Sequence, residues 1–481
     1  MKKNQETTSP IIVETPIEDN FSSKTKDNEA KLKRKKDKEI KKYESLPIES
    51  KIELIAREQR QSADWIQLDN AALIFPASET IDRMNMFRLS VVLKDKVDPL
   101  ALQKAVNMIV PRFPTIATSV KRGLFWCYLE PSNTPIVVRE QREFPCRKLA
   151  LDSRNSLFRV TYFGYEISVE FFHVASDANG GLVFLNTLLD AYFEVLGYET
   201  VDRTNTLSYR DKPNEEEMVD AYQQYHDGVT PKKTKDVKSY VLKGNRLDSN
   251  MLILTKGVCN SEDLRRVAKS RGMSVGELLS SCITYAIEQE REFCLGDKKH
   301  PVVVSVPVDM RRIFPSKTLR NFAVLFRIYS DGLKSFEETC ELVKKAYVEG
   351  VKEDYLQGYV NFNVASQNNP LIRFLPLPIK MLGMRVALNM YDNNVSTTTI
   401  SNLGIIKAPE EYKDRILRYE FSLGAKKTEL TNLAIATFNG TTVMTFSRVI
   451  DSALVEKYFF RQLASLGVDV VIETNYQGDL I

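Results

Sequence analysis

The sequence predicts an α/β (α+β) protein made of two similar halves behind a charged leader. Three observations lead to that class. The chain has 481 residues, well beyond the ~100–200 of an ordinary domain. Strand-like and helix-like segments alternate through both parts in similar proportion. Between them, "GVTPKKTKDVKSYVLKGNR" (residues 228 to 246) combines Gly, Pro and many lysines with little apolar periodicity, as a crossover would. The expected divisions are a disordered charged tail at 1–45, a first half at 46–235 and a second at 236–481. Hydrophobic residues at 43% and charged residues at 27% leave enough apolar surface for packed cores.

Taken in order, Pro47 and "SADWIQLDNAALIFPASE" open the ordered part, with Pro76 breaking any long helix. "MNMFRLSVVL" reads as a strand. "VDPLALQKAVNMIVPRFP" is a helix with Asp98 as N-cap, Pro99 in its first turn and Leu102, Ala105, Val106 and Ile109 on one face. Pro111 and Pro114 end it. "LFWCYLEP" and "IVVRE" look like short strands, and "LFRVTYFGYEISVEFFHV" like two strands meeting near Gly164 and running into His173. "GLVFLNTLLDAYFEVLGYE" places Leu182, Leu185, Leu189 and Tyr192 on one helical face and stops at Gly197. In the second half, "NSEDLRRVAKSRG" is a short helix ended by Gly272. "SVGELLSSCITYAIEQE" opens with Ser274 and Glu277 as a capping box. "PVVVSVPVDMRRIFP" is a β-branched run suited to a strand buried on both faces. Asn439-Gly440 marks a hairpin, and "SALVEKYFFRQLASLG" closes the chain as a helix. The apolar stretch 369–391 reads as an ordinary core helix, with a segment lining a binding tunnel or packing over its mouth as the alternative.

The six cysteines show no C-x-x-C spacing, so neither a zinc finger nor a disulfide framework is expected. No apolar run reaches the ~20 residues of a membrane span, and no secretory signal opens the chain. A soluble, cytoplasmic protein is expected. Net charge is only +4, and residues 31 to 42, "KLKRKKDKEIKK", hold eight basic and two acidic residues. Such a run in a polar leader is a solvated tail, and no nucleic-acid partner is expected.

The chain has three histidines, His173, His226 and His300. Imidazole is the side chain whose ordinary pKa suits a general base near neutrality. His226 and His300 sit in charged, turn-like contexts. His173 alone follows an apolar strand, where burial would keep it neutral. Asp177 stands four residues later in "FFHVASDANGG", and Gly180 and Gly181 would allow close backbone approach or start a helix. H-x-x-x-D alone is equally a strand end followed by a turn. No metal site is expected, because one His with one Asp is too few ligands. No G-x-S-x-G elbow, phosphate loop or dinucleotide fingerprint is present.

These segments resemble the superfamily of chloramphenicol acetyltransferase, the nonribosomal peptide condensation domains and the alcohol acetyltransferases, whose shared motif is H-H-x-x-x-D-G. In "FHVASDA", His173 stands at the second histidine and Asp177 at the aspartate. Phe172 replaces the first histidine and Ala178 the glycine. "VDPLALQKAVNMIVPRFPTIATSV", "SVGELLSSCITYAI" and "VPVDMRRIFPSKTLRNFAVLFRI" resemble further segments of the superfamily in its order. "DWIQLDNAALIFP" and "TTTISNLGII" are similar to alcohol acetyltransferase-like proteins, so the resemblance covers roughly residues 60 to 475.

The resemblance implies two chloramphenicol-acetyltransferase-like subdomains in a V-shaped pseudodimer with a central tunnel. It implies an acyltransferase moving an acyl group, acetyl as the first expectation, from a coenzyme A thioester to an alcohol or amine, with His173 as general base. Asp177 would pair with Arg311, or less readily Arg312, and Asn321 would line the same joint. Ser401 or Asn402 could donate to the developing oxyanion, although a polar edge strand is an equal reading of their segment. Acyl-coenzyme A is expected as cosubstrate, with no bound cofactor and a monomeric chain. The alternatives are transfer from an acyl carrier protein, or a non-catalytic protein of this fold.

Overall fold

The computed structural model describes residues 38, 41–42, 45–59, 65–69, 72, 75, 84–132, 134–149, 155–201, 203, 205–229, 237–248, 251–368, 374–391, 395–426 and 428–476. The expected tail, 1–45, lies outside them except for residues 38, 41, 42 and 45. The chain divides into a short unit, residues 1–54, and a large one, residues 55–481, which carries the site. Pro47 precedes helix α1 (Ile48–Glu58), which the sequence reading left unassigned.

The first part contains β1 (Ile66–Gln67), β2 (Met86–Leu93), α2 (Pro99–Ile109), β3 (Thr118–Arg122), β4 (Cys127–Pro131), β5 (Arg139–Glu140), β6 (Phe158–Phe163), β7 (Glu166–Phe172) and α3 (Ala178–Val195). Asp98 caps α2 as expected, its carboxylate accepting the backbone N–H groups of Leu100 and Ala101. Gly164 adopts φ +57° in the tight β6–β7 turn, a left-handed conformation glycine takes without penalty. The second part contains β8 (Ile253–Asn260), α4 (Ser261–Ser270), α5 (Val275–Phe293), β9 (Val302–Asp309), β10 (Ala323–Ser330), α6 (Phe336–Gly350), α7 (Glu353–Asn368), α8 (Leu377–Tyr391), β11 (Thr398–Ile405), β12 (Ile416–Leu423), β13 (Thr431–Phe438), β14 (Thr441–Arg448), α9 (Leu454–Ser465) and β15 (Val470–Thr474). Ser274 and Glu277 form the expected capping box on α5. Asn439 and Gly440 both take positive φ between β13 and β14, as a two-residue hairpin of this hand requires.

Seven strands form one sheet in the order β10-β9-β11-β13-β14-β8-β15, and five form another in the order β12-β2-β7-β6-β5. The second sheet contains a strand from the far end of the chain: β12 pairs antiparallel with β2, Phe421 opposite Leu89. A strand beyond residue 235 thus completes the sheet built from strands before it. β11 is not the polar edge strand that its sequence allowed. It runs parallel between β9 and β13, inside the large sheet rather than at its edge.

Alternation along β2, β7 and β12 separates two chemistries. Phe87, Leu89, Val91, Val169, Phe171, Tyr419 and Phe421 face α2 and α3 in one apolar core. Arg88, Ser90, Glu166, Ser168, Glu170 and Ser422 occupy the intervening positions of the same strands, and Arg88 pairs with Glu166 and Glu170 at 2.9 and 2.8 Å. A second core packs the large sheet against α4, α5, α6 and α9. Residues 369–373 of the apolar stretch 369–391 lie outside the described residues, and helix α8 is only in part the core helix expected. Leu377 is buried and Met381 packs on the core, but Ile379, Leu382 and Val386 are 54, 64 and 50% exposed. Its sequence is apolar on every side, so composition could not tell which face is covered.

Candidate active site

His173 stands where β7 runs out, in the turn before α3. Its backbone N–H donates to the Asn85 carbonyl at 2.9 Å. The half-buried imidazole stacks on Phe75, ring centroids 4.8 Å apart, and meets Phe87 edge-on at 5.3 Å. Nδ1 lies 2.9 Å from Asn321 Oδ1. Burial lowers the ring's pKa below 6.5, against the opposing pull of Asp177 and Asn321, so the neutral base is favoured.

Asp177 begins α3 as its N-cap, accepting the Gly180 N–H at 3.0 Å. Its other oxygen takes the Phe322 N–H and Arg311 Nη1, each at 2.8 Å. Arg311 follows β9 in a short 3-10 turn capped by Asp309. It also donates from Nε to the Thr318 carbonyl (2.9 Å), from Nη1 to Asp309 (2.9 Å) and from Nη2 to the Arg320 carbonyl (2.6 Å). One guanidinium thus staples the loop bearing Asn321 to the loop bearing His173. Ser176 adds a second tie, its hydroxyl donating to the Leu319 carbonyl at 2.5 Å.

The paired glycines follow from that closeness. A Cβ on Gly180 would sit 2.1 Å from the Leu319 carbonyl oxygen, and one on Gly181 would sit 2.9 Å from the Phe87 ring. Ala178 therefore occupies the motif's glycine position while the backbone approach falls two residues later.

Four of the expected site residues, His173, Asp177, Arg311 and Asn321, come together. Arg312 is exposed, and the pair to Asp177 belongs to Arg311. Ser401 and Asn402 lie on β11. Asn402 is exposed and its Oδ1 accepts the Gly404 N–H at 2.8 Å. Among the described residues no hydrogen bond or ring contact joins either one to His173. Strand alternation gives no distance to a ring on another sheet.

Asp69 was missed. It is 1% exposed and accepts Asn321 Nδ2 at 3.2 Å and the Ala72 N–H at 2.6 Å, with Arg320 Nε 3.4 Å away. Burial pushes its carboxyl up, and Arg320 opposes that. Nothing local in "QLDNA" signals this, since the side chains it meets, Asn321 and Arg320, come from residues around 320. Among the described residues no group of His, Cys, Asp and Glu could hold a metal ion, and no helix is long and apolar enough to cross a membrane.

No model of a protein family matches the chain, and no curated protein is similar to it in sequence. Solved structures are similar in fold. The first condensation domain of the calcium-dependent antibiotic synthetase, in complex with a substrate analogue, has TM-score 0.58 at 15% identity, covering 84% of this chain and 97% of that one. TRI101 of F. sporotrichioides, complexed with coenzyme A and T-2, has TM-score 0.54 at 13% identity, covering 85% and 100%. Polyketide synthase associated protein 5 from Mycobacterium tuberculosis has TM-score 0.53 at 12% identity, covering 86% and 98%. The chain thus has the fold of this condensation domain, of TRI101 and of polyketide synthase associated protein 5.

Proposed function

We propose that the chain is an acyltransferase that moves an acyl group from a coenzyme A thioester to an alcohol or amine, with His173 as general base. The observation that carries the reading is the imidazole of His173, hydrogen-bonded to Asn321 on a loop that Arg311 ties to Asp177; burial lowers its pKa and so favours the neutral form. The acceptor O–H or N–H gives its proton to the ring as it attacks the thioester carbonyl. The C–S bond breaks, the proton passes to the departing sulfur, and the products are an ester or amide and a free thiol. Phe75 and Phe87 flank the ring and contribute to the burial that lowers its pKa. Base catalysis of this kind supplies roughly 10²–10⁴-fold in rate, and holding both reactants together adds an entropic share.

TRI101, solved with coenzyme A, supports that donor. The condensation-domain neighbours support a second reading, in which the donor thioester sits on an acyl carrier protein. The test is thiol release from acetyl- and longer acyl-coenzyme A with and without a panel of alcohols and amines. Acceptor-dependent release that falls at least about 100-fold in folded His173→Ala is the expected result. Equal, slow release by parent and variant across the panel would remove coenzyme A chemistry at His173 and turn attention to a carrier-protein donor.

A further inference from the structure

We infer that Asp69 is a positioning residue that, through Asn321, fixes which nitrogen of His173 carries the proton. The inference rests on the acyltransferase reading for its catalytic meaning, but its geometry stands apart from it.

The chain of contacts is short and buried. Asp69 Oδ2 lies 3.2 Å from Asn321 Nδ2, and Asn321 Oδ1 lies 2.9 Å from His173 Nδ1. Asp69 and Asn321 are 1% and 4% exposed. An asparagine amide has a donating and an accepting end, and only its partners decide which end points where. Burial pushes the Asp69 carboxyl up, but donors meet both of its oxygens, the Ala72 N–H at Oδ1 and Arg320 Nε beside Oδ2; held by them as a carboxylate it accepts and cannot donate, so the Asn321 NH2 faces Asp69 and its oxygen faces His173. A carbonyl oxygen needs a donor, so the proton of the neutral ring sits on Nδ1. Nε2 is then the basic nitrogen. With the amide reversed, its oxygen would face a carboxylate and its NH2 the ring, which would drive the proton to Nε2. Two acceptors facing each other in a buried site are costly.

Asp69 is itself anchored. The Ala72 N–H donates to its Oδ1 at 2.6 Å. Arg320, beside it at 3.4 Å, also donates from Nη2 to the Gln67 carbonyl (2.6 Å) and from Nη1 to the Met218 carbonyl (3.2 Å). β1, just upstream, pairs with β4, Leu68 is 2% exposed, and Phe75 on the same stretch stacks on the imidazole. One segment therefore covers the ring and orients its proton.

Asp69→Asn is the informative substitution. The Ala72 N–H holds the new amide oxygen, so the new NH2 points at Asn321. That side chain turns its oxygen toward position 69 and its NH2 toward His173, and the proton moves to Nε2. With only three histidines in the chain, ¹⁵N-histidine NMR near neutral pH resolves the tautomer, and the His173 signals are those missing from His173→Gln. The expected result is Nδ1-protonated His173 in the parent and Nε2-protonated His173 in Asp69→Asn. In the thiol-release assay kcat then falls by roughly 10²-fold or more, the share base catalysis supplies, with KM little changed. A parent protonated on Nε2 overturns the inference without any variant having to fold, and so does an Asp69→Asn protein that keeps the proton on Nδ1. A parent with the Nδ1 tautomer, reversed in the variant, but no acyl transfer would sink the acyltransferase reading while the positioning role of Asp69 stands.

Discussion

Replacing Asp177 with asparagine removes a charge and one acceptor from a junction where three donors converge. Asp177 takes the Gly180 N–H on one oxygen and the Phe322 N–H with Arg311 on the other. Its side chain is 5% exposed and that of Arg311 15%. Losing one partner of a buried ion pair costs about 3–5 kcal/mol. Arg311 keeps Asp309 at 2.9 Å, which moves the charge component to the bottom of that range or below it. Asparagine has a single acceptor oxygen, so either Gly180 or the Phe322–Arg311 side is left facing an NH2, at about 1–3 kcal/mol. These contributions overlap, and the expected net loss is about 3–4 kcal/mol, a large part of a typical total of roughly 5–15 kcal/mol. The assay is urea unfolding, read as a lower midpoint at unchanged slope. Asp309→Asn, at a more exposed group that leaves the Asp177 pair in place, should lose less. If Asp177→Asn unfolds within about 0.5 kcal/mol of the parent, the size of an indifferent surface change, then Asp177 does not hold these loops together.

Burial lowers the pKa of His173 below 6.5, so the base form survives as the medium is acidified. The acid limb of kcat/KM against pH should therefore be centred below 6.5, and a limb at or above that value would contradict a desolvated base. Gly180→Ala places a methyl 2.1 Å from the Leu319 carbonyl oxygen and should lower the urea midpoint by an amount matching about 1–3 kcal/mol of overpacking. Gly358→Ala within α7, where nothing lies within 4 Å of the new carbon, should raise it by about 0.5–1 kcal/mol. Leu382→Gln on the exposed face of α8 should change stability by no more than about 0.5 kcal/mol, and a larger loss would mean that this face is covered.

Features carried by neighbouring residues were legible in the sequence. Asp98 before Pro99, Ser274 with Glu277, and Asn439-Gly440 each specify a local geometry, and each formed. His173, Asp177 and Arg311 were reachable through the order of motifs along the chain. Asp69 was not, because its role arises from residues about 250 positions away and any exposed turn aspartate would look the same. Ser401 and Asn402 show the limit from the other side: a hydroxyl and an amide of suitable chemistry stand on β11, whose place inside the sheet no local pattern encodes. β12 escaped for a related reason. Its alternation serves any half-buried sheet, and partner choice is not written in a single strand.

That strand has a consequence for how the molecule is made. During synthesis β2 emerges with β7 soon after it, yet the other flank of β2 stays open until residues 416–423 leave the ribosome. At 5–20 residues per second that interval is on the order of tens of seconds, during which an unpaired hydrogen-bonding edge invites wrong partners. The nascent chain must wait for its own distant end, so truncation before residue 416 should yield an aggregating fragment rather than a smaller soluble one.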